Sequence, residues 1–342
     1  MAARMKDIAM DLGVSLMTVS KALRNHSDIS EETRQRVLRR ARELNYEPNW
    51  IARSLATRRT FMVGVVIPDL MHSFFAEVAK GIARHLDPLG YQVVISNTDE
   101  NPAAERRQVD LLVARHIDGL IIATALPSWK QGGHAAFESA MTPYVLIDRL
   151  PAGLDANYVG VRDEELGEMA TAHLVAQGCR RVAHLRGPAT ANSAGRLRGY
   201  KRALAKAGAE FRPEYVVQAG GGDMSGFTAM RHLLSLPDPP DGAFCYNDPV
   251  AAGAIQAVLE HGLRVPGDVA IIGAGNVHYS DQLRVPLSTI DQGSGQLGEA
   301  AAELLVRCIE SKTPVKPSHV LIPPRLVVRE SSRRQPTDAL RT

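Results

Sequence analysis

Between Met5 and Arg24 the chain reads MKDIAMDLGVSLMTVSKALR, and the second half of this stretch concentrates groups that suit a nucleic-acid surface. Ser15, Thr18 and Ser20 offer hydroxyls and Lys21 an ammonium for phosphate oxygens, while Leu16 and Met17 offer apolar tips for thymine methyls. A second set of polar residues is dispersed along the chain but falls at the ends of apolar runs. Asp69, His72, Phe74 and Phe75 follow one run, Asp148 and Arg149 another, then come Asn192, Ser193 and Arg196, Asn247 with Asp248, and Asn276. Carboxylates, guanidiniums and amides gathered on an apolar floor are what a small polar ligand needs. For each residue alone a helix cap or turn is the plainer role, and Asn247-Asp248 before Pro249 reads well as a cap.

The first set needs a scaffold of short helices. Ile8, Ala9 and Leu12 recur at helical spacing, Gly13 breaks the run, and Val19, Ala22 and Leu23 resume it. A tight helix-turn-helix wants a small residue where the helices meet and a corner tolerant of positive φ, and Ala9 and Gly13 supply both. Ser15 is then the N-cap of the second helix, which points Leu16, Met17 and Lys21 outward. The competing reading is an ordinary helical hairpin in a core. Charge favours the first: residues 1–60 hold 12 Lys+Arg against 7 Asp+Glu, whereas the rest hold 28 against 30. Ser30 to Leu44 forms a third helix, with Glu31 and Glu32 placed for its dipole. Asn49 to Thr57 suits one more short helix that needs an external support such as DNA.

The second set needs strands. Met62 to Ile67, Gln92 to Ser96, Leu120 to Ala123 and Tyr144 to Ile147 read as strands between helices at Phe75 to Leu86 and Ala104 to Ala114. A second series follows from Arg181 to Ile272, with helices at Ala194 to Ala207, Ser225 to Leu236 and Pro249 to His261. Two doubly wound parallel sheets in tandem make two lobes, and ligands of such sheets bind at the carboxyl ends of the strands, hence between the lobes. Thr289 to Gln292 crosses back toward the first lobe, Leu297 to Ile309 is an amphipathic helix, and Val320 to Val328 gives one or two strands.

Several function classes are excluded. No apolar run approaches the ~20 residues of a membrane span, and Met1 to Met10 lacks the apolar centre of a signal peptide. Cys179, Cys245 and Cys308 are far apart and odd in number, which indicates neither a disulfide framework nor a zinc site. Gly220-Gly221-Gly222 lacks the ending of a P-loop, and no nucleophile elbow or HExxH pair occurs. No metal and no cofactor is expected, and His72 and His278 are the histidines read as cleft candidates.

Lys6-Asp7-Ile8-Ala9, Gly13-Val14-Ser15, Thr18-Val19-Ser20-Lys21, Glu43-Leu44-Asn45-Tyr46, Pro48-Asn49 and Ala52-Arg53-Ser54-Leu55 together resemble the head and hinge of the LacI/GalR family of bacterial transcription regulators. The resemblance implies an all-α helix-turn-helix headpiece on a two-lobed α/β core of periplasmic-binding-protein-like type. It implies DNA contacts from the head residues above and from Asn49, Ala52, Arg53 and Leu55, with Leu55 wedged into the central base step. It makes Arg196 in RLRGY and Asn247-Asp248 in NDPVAAGA the closest matches to effector contacts. The expected divisions are a head at 1–47, a hinge at 48–60, a core at 61–330 and a disordered tail at 331–342. Within the core, lobe 1 spans about 61–160 plus 291–323, and lobe 2 about 161–290 plus 324–330.

The chain departs from the family at three places. Lys21 stands where arginine is frequent, and lysine lacks the fork that suits guanine. Gly221 stands where an aromatic ring stacks on a sugar or purine, and Ala274-Gly275-Asn276 lacks a frequent aspartate. These departures point away from a simple hexose; Trp129 is a candidate replacement wall. The implied function is a ligand-responsive, cytoplasmic and nucleoid-associated repressor, a homodimer on palindromic operator DNA, with a sugar or sugar derivative as effector and no membrane partner. The rival readings are a two-lobed solute-binding protein, which wants a signal peptide and no basic head, and an enzyme with a DNA-targeting head, which wants catalytic groups in the cleft.

Overall fold

The computed structural model describes residues 3–23, 26–46, 54, 57, 59–126, 142–313 and 315–334. The chain divides into two compact units, Met1–Thr60 and Phe61–Thr342.

In the first unit, helices α1 (Met5–Leu12), α2 (Leu16–Leu23) and α3 (Glu31–Glu43) enclose Ile8, Ala9, Val19, Ala22, Val37 and Ala41. Gly13 ends α1 at φ 63°, and a Cβ there would meet nothing within 4 Å, so conformation rather than space demands glycine. Ser15 Oγ accepts from the Thr18 backbone N–H at 3.0 Å and caps α2 as predicted. Ser30 does the same for α3 through Thr33 N–H at 3.3 Å. Arg40 Nε donates to Asp11 at 2.8 Å, tying α3 to α1.

The second unit contains two six-stranded sheets. The first joins β1 (Met62–Ile67), β2 (Gln92–Asn97), β3 (Gly119–Ile122), β4 (Tyr144–Ile147), β5 (Tyr158–Val161) and β11 (His319–Ile322) in the order β11-β5-β4-β3-β1-β2, all parallel. The second joins β6 (Val182–Arg186), β7 (Val216–Gln218), β8 (Gly242–Cys245), β9 (Ala270–Gly275), β10 (Ser288–Asp291) and β12 (Arg325–Val327) in the order β12-β10-β9-β8-β6-β7. Only β12 runs antiparallel to its neighbour. The five leading strands of each sheet thus repeat one winding; β1, β3, β8 and β9 are apolar and buried on both faces, as covered parallel strands require, while the edge strands β2 and β7 are only partly buried.

Helices α4 (Ser73–Leu86), α5 (Pro102–Ala114) and α10 (Ser294–Glu310) serve the first lobe; α6 (Asp163–Ala176), α7 (Ala191–Lys206), α8 (Asp223–Leu234) and α9 (Asp248–Glu260) serve the second. The chain passes between lobes at Arg162, at Gln292-Gly293 and at Pro323-Pro324. Helices α6 and α7 meet at backbone contact. A Cβ on Gly167 would fall 2.2 Å from the Arg196 carbonyl oxygen, and one on Gly199 2.1 Å from that of Glu164. This close crossing sets Asp163 beside Arg196 and so positions part of the cleft.

Two features differ from the sequence reading. Pattern places no element between Ile147 and Arg181, yet β5 and α6 lie there. Helix α6 packs against α7 on one side and against β8, β9 and β10 on the other, so its buried residues Leu166, Gly167, Ala170, Thr171 and Leu174 do not form one apolar stripe. The tail expected to be disordered from residue 331 is instead stitched to lobe 2 through Arg334. Ser331 and Ser332 are fully buried; Ser331 Oγ donates to Ile271 O at 2.7 Å, Ser332 Oγ pairs with His173 Nε2 at 2.6 Å, and Arg334 reaches Asp241 O. Small hydroxyl residues that satisfy backbone groups look like linker in composition, which is why pattern alone misplaces the boundary. The predicted hinge residues Asn49, Ala52, Arg53 and Leu55, and Trp129, lie outside the described residues.

Candidate functional site

The head presents Leu16 and Met17 more than half exposed on the first turn of α2. Thr18 Oγ1 pairs with Ser15 Oγ at 2.9 Å, and the Lys21 ammonium forms an ion pair with Asp28. Both Lys21 and Asp28 are partly exposed, so this pairing is weak and exchangeable for a phosphate.

In the core, the facing carboxyl ends of the two sheets enclose a cleft of about 190 Å³ that opens to solvent. Of the residues proposed from sequence, Asp69, His72, Phe74, Phe75, Asp148, Arg149, Arg196 and Asn247 line it, and Asn192 reaches it through its bond to Asp148. Ser193, Asp248 and Asn276 do not.

Arg196 is the most tightly held group in the cleft. It is fully buried on α7, donates from Nε to Asp163 Oδ1 at 2.9 Å, from Nη1 to Tyr246 O at 2.5 Å and from Nη2 to Gln292 Oε1 at 2.8 Å, and its guanidinium lies 4.7 Å from the Tyr246 ring centroid. Asp163 begins α6 just after the first lobe crossing and Gln292 sits at the second, so one side chain ties two of the three crossings together. Burial pushes the Asp163 carboxyl up to about 6, against the pull of Arg196.

The first lobe contributes a contrasting arrangement. Asp148 follows β4 with φ 62°, a left-handed backbone that turns its carboxylate inward; Asn192 Nδ2 donates to it across the lobes at 3.2 Å and to Tyr246 Oη at 3.1 Å. Arg149 forms a two-pronged pair with Glu100, at 2.6 and 2.7 Å. The Arg149 side chain is only 6% exposed whereas that of Glu100 is 42% exposed, so a buried cation is capped by a carboxylate open to solvent. Asn247 caps α9 by accepting from Val250 N–H at 2.9 Å and donates from Nδ2 to Gly221 O at 2.9 Å. The cleft wall at Gly221 is therefore backbone carbonyl.

The three residues that miss the cleft have other occupations. Asp248 is fully buried and accepts from Val277 N–H at 3.0 Å, Ser280 Oγ at 2.8 Å and Thr289 Oγ1 at 2.6 Å, which pins the start of α9 to the β9 and β10 ends. Burial pushes its carboxyl up, offset by those donors. Asn276 accepts from Arg329 Nη2 at 2.8 Å instead of facing a ligand. Ser193 is fully buried, and its Oγ has no partner among the described residues. His278 also stays out of the cleft wall: it is largely exposed, and its backbone N–H donates to Glu77 at 2.9 Å.

Sequence reasoning missed Glu100, Pro188, Gly222, Tyr246 and Gln292 as lining residues. The strand-end rule finds Glu100 after β2 and Tyr246 after β8 when it is applied to every strand. Among the described residues no group of His, Cys, Asp and Glu is arranged to hold a metal, and no helix is long and apolar enough to cross a membrane.

A capped helix-turn-helix in one unit and a polar cleft between two like-wound lobes in the other define a DNA-binding regulator controlled by a small molecule. Residues 4–49 match the family of bacterial regulatory proteins, lacI family, and residues 171–332 match a periplasmic binding protein-like domain. The chain is 33% identical over 334 residues to the HTH-type transcriptional repressor PurR of Mannheimia succiniciproducens, covering 97% of this chain and 99% of that one. It is 34% identical over 334 residues to the ribose operon repressor of Halalkalibacterium halodurans, covering 96% of each. The crystal structure of the lac repressor dimer bound to operator and the anti-inducer ONPF superposes with a TM-score of 0.84 at 28% identity, covering 97% of this chain and 99% of that one. The chain belongs to the lacI family of bacterial regulatory proteins and is a ligand-responsive transcriptional repressor.

Proposed function

We propose that a neutral, hydroxyl-rich small molecule, a sugar or sugar derivative, binds between the two core lobes and sets the affinity of a homodimer for a palindromic operator. The observation that carries this reading is the clamp of Arg196 on Asp163 and Gln292, because a ligand touching it acts directly on two lobe crossings. A shift in lobe arrangement with a preferred ligand state is all that coupling to DNA requires. Asp69, His72, Phe74, Phe75, Asp148, Arg149, Arg196 and Asn247 are the proposed effector contacts, while Ser193, Asp248 and Asn276 support the wall from behind.

On the DNA side, Ser15, Leu16, Met17, Thr18, Ser20 and Lys21 enter the major groove, and Asn49, Ala52, Arg53 and Leu55 act from a hinge at residues 48–60. The protein works in the cytoplasm and catalyses no reaction. Support for a carbohydrate comes from the cleft's mixture of carboxylates, amides and aromatic rings, and from the named role of the ribose operon relative. Selection of binding sites from random DNA by the full chain tests the reading: a palindrome whose affinity falls steeply with salt is expected, since several phosphates are neutralised. Recovery of no preferred sequence would sink it.

A further inference from the structure

Two side chains face each other across the cleft with a mismatch of protons. His72 precedes α4 in lobe 1, and its Nδ1 accepts from the Phe74 backbone N–H at 3.2 Å. Its Nε2 lies 2.9 Å from Nδ2 of Asn247 in lobe 2. The amide of Asn247 is fixed from both sides: Oδ1 takes the Val250 N–H, and Nδ2 gives a proton to Gly221 O, each at 2.9 Å. Turning the amide over would set Nδ2 against the Val250 N–H and Oδ1 against a carbonyl oxygen, losing two hydrogen bonds to gain one. Nδ2 is therefore the atom that faces the imidazole.

Both ring nitrogens of His72 thus face N–H groups, and a neutral imidazole has only one nitrogen with a free lone pair. Burial holds His72 below the usual histidine range, so near pH 7 the ring carries a single proton. The helix-capping contact to Phe74 lies within one segment and is the harder one to give up. The tautomer that keeps this cap carries its proton on Nε2, where it points at another donor.

We propose that His72 and Asn247 form a two-donor junction between the lobes that a hydrogen-bond acceptor oxygen of the effector completes, making this pair a determinant of specificity. The inference rests on reading the cleft as the effector site. It assigns the ligand a hydroxyl, ring or carbonyl oxygen that accepts from both lobes at once. An oxygen about 2.9 Å from each nitrogen fits best when those nitrogens stand farther apart than they do here, so occupancy moves His72 away from Asn247. The same pair disfavours a ligand that presents an ammonium or an apolar group at this point.

The first test needs no ligand. Long-range proton–nitrogen correlation on the full chain near neutral pH, with His72 identified by its loss in His72→Asn, is expected to show a neutral ring protonated on Nε2. A ring protonated on Nδ1, in either charge state, would overturn the proposal. The second test titrates D-ribose, D-glucose and D-galactose calorimetrically against the full chain and its Asn247→Asp variant. The introduced carboxylate would keep the α9 cap, lose the bond to Gly221 O and take the Nε2 proton for itself, so any of these sugars that binds the unaltered chain is expected to bind the variant at least about ten-fold more weakly. Equal binding would overturn the proposal. If none of the three binds the unaltered chain, the effector is not one of these simple sugars, and the ring tautomer decides the junction separately.

Discussion

The two lobes share one strand order, yet they furnish the cleft in opposite ways. Asp148 follows β4 and Asn276 follows β9, the equivalent strand, and both are left-handed, at φ 62° and 52°. Asp148 turns its carboxylate into the cleft, whereas Asn276 is diverted to Arg329. The same contrast separates the two guanidiniums. Arg196 in lobe 2 is enclosed by partners that are themselves largely buried, and Arg149 in lobe 1 is capped by the solvent-open Glu100. Lobe 2 therefore offers a preformed wall, while lobe 1 offers charges that a ligand can engage. A repeated fold fixes where a site lies, and the residues at the strand ends decide which half holds still.

The contrast can be broken most forcefully at Arg196. Arg196→Ala leaves Asp163 buried without its cation and is expected to cost about 3–5 kcal/mol of stability, read by denaturant unfolding. A loss below about 1 kcal/mol would mean that the lobe 2 wall is not held by this clamp. Next comes Asp248→Ala, which strands the Val277, Ser280 and Thr289 donors and is expected to cost about 2–3 kcal/mol in the same assay, while leaving direct ligand contacts in place.

A smaller effect follows from the titration of Asp163. Its folded value of about 6 lies above the ordinary 3.8, so the folded chain binds a proton that the unfolded chain has already released between those values. Its contribution to stability is present at low pH and declines as pH rises from about 4 to about 6; Asp163→Asn is expected to flatten that slope. Glu100→Gln gives the least: the carboxylate is partly exposed, so a change of about 1 kcal/mol or less is expected in unfolding, with the larger consequence in which ligands Arg149 accepts. A Glu100 effect as large as that of Arg196 would erase the proposed difference between lobes.

Much of this is legible in the residues. Gly13 and Ser15 announce the head because their roles are local, a left-handed corner and a cap, and local roles survive in sequence. The strand-end rule brings eight proposed residues to one cleft for the same reason. Asp248 is misplaced because a buried carboxylate serving three distant donors looks, in one dimension, like a ligand contact. Helix α6 is invisible because it is covered on two sides, and Ser331 and Ser332 read as tail because their partners, Ile271 O and His173, lie far away along the chain.

The most direct measurement of the central claim is an anisotropy titration of the selected operator by the full chain, with and without a saturating concentration of a sugar shown calorimetrically to bind. A change in operator Kd of about five-fold or more is expected, in the range of ordinary allosteric coupling. An unchanged Kd with the cleft fully occupied would contradict the account.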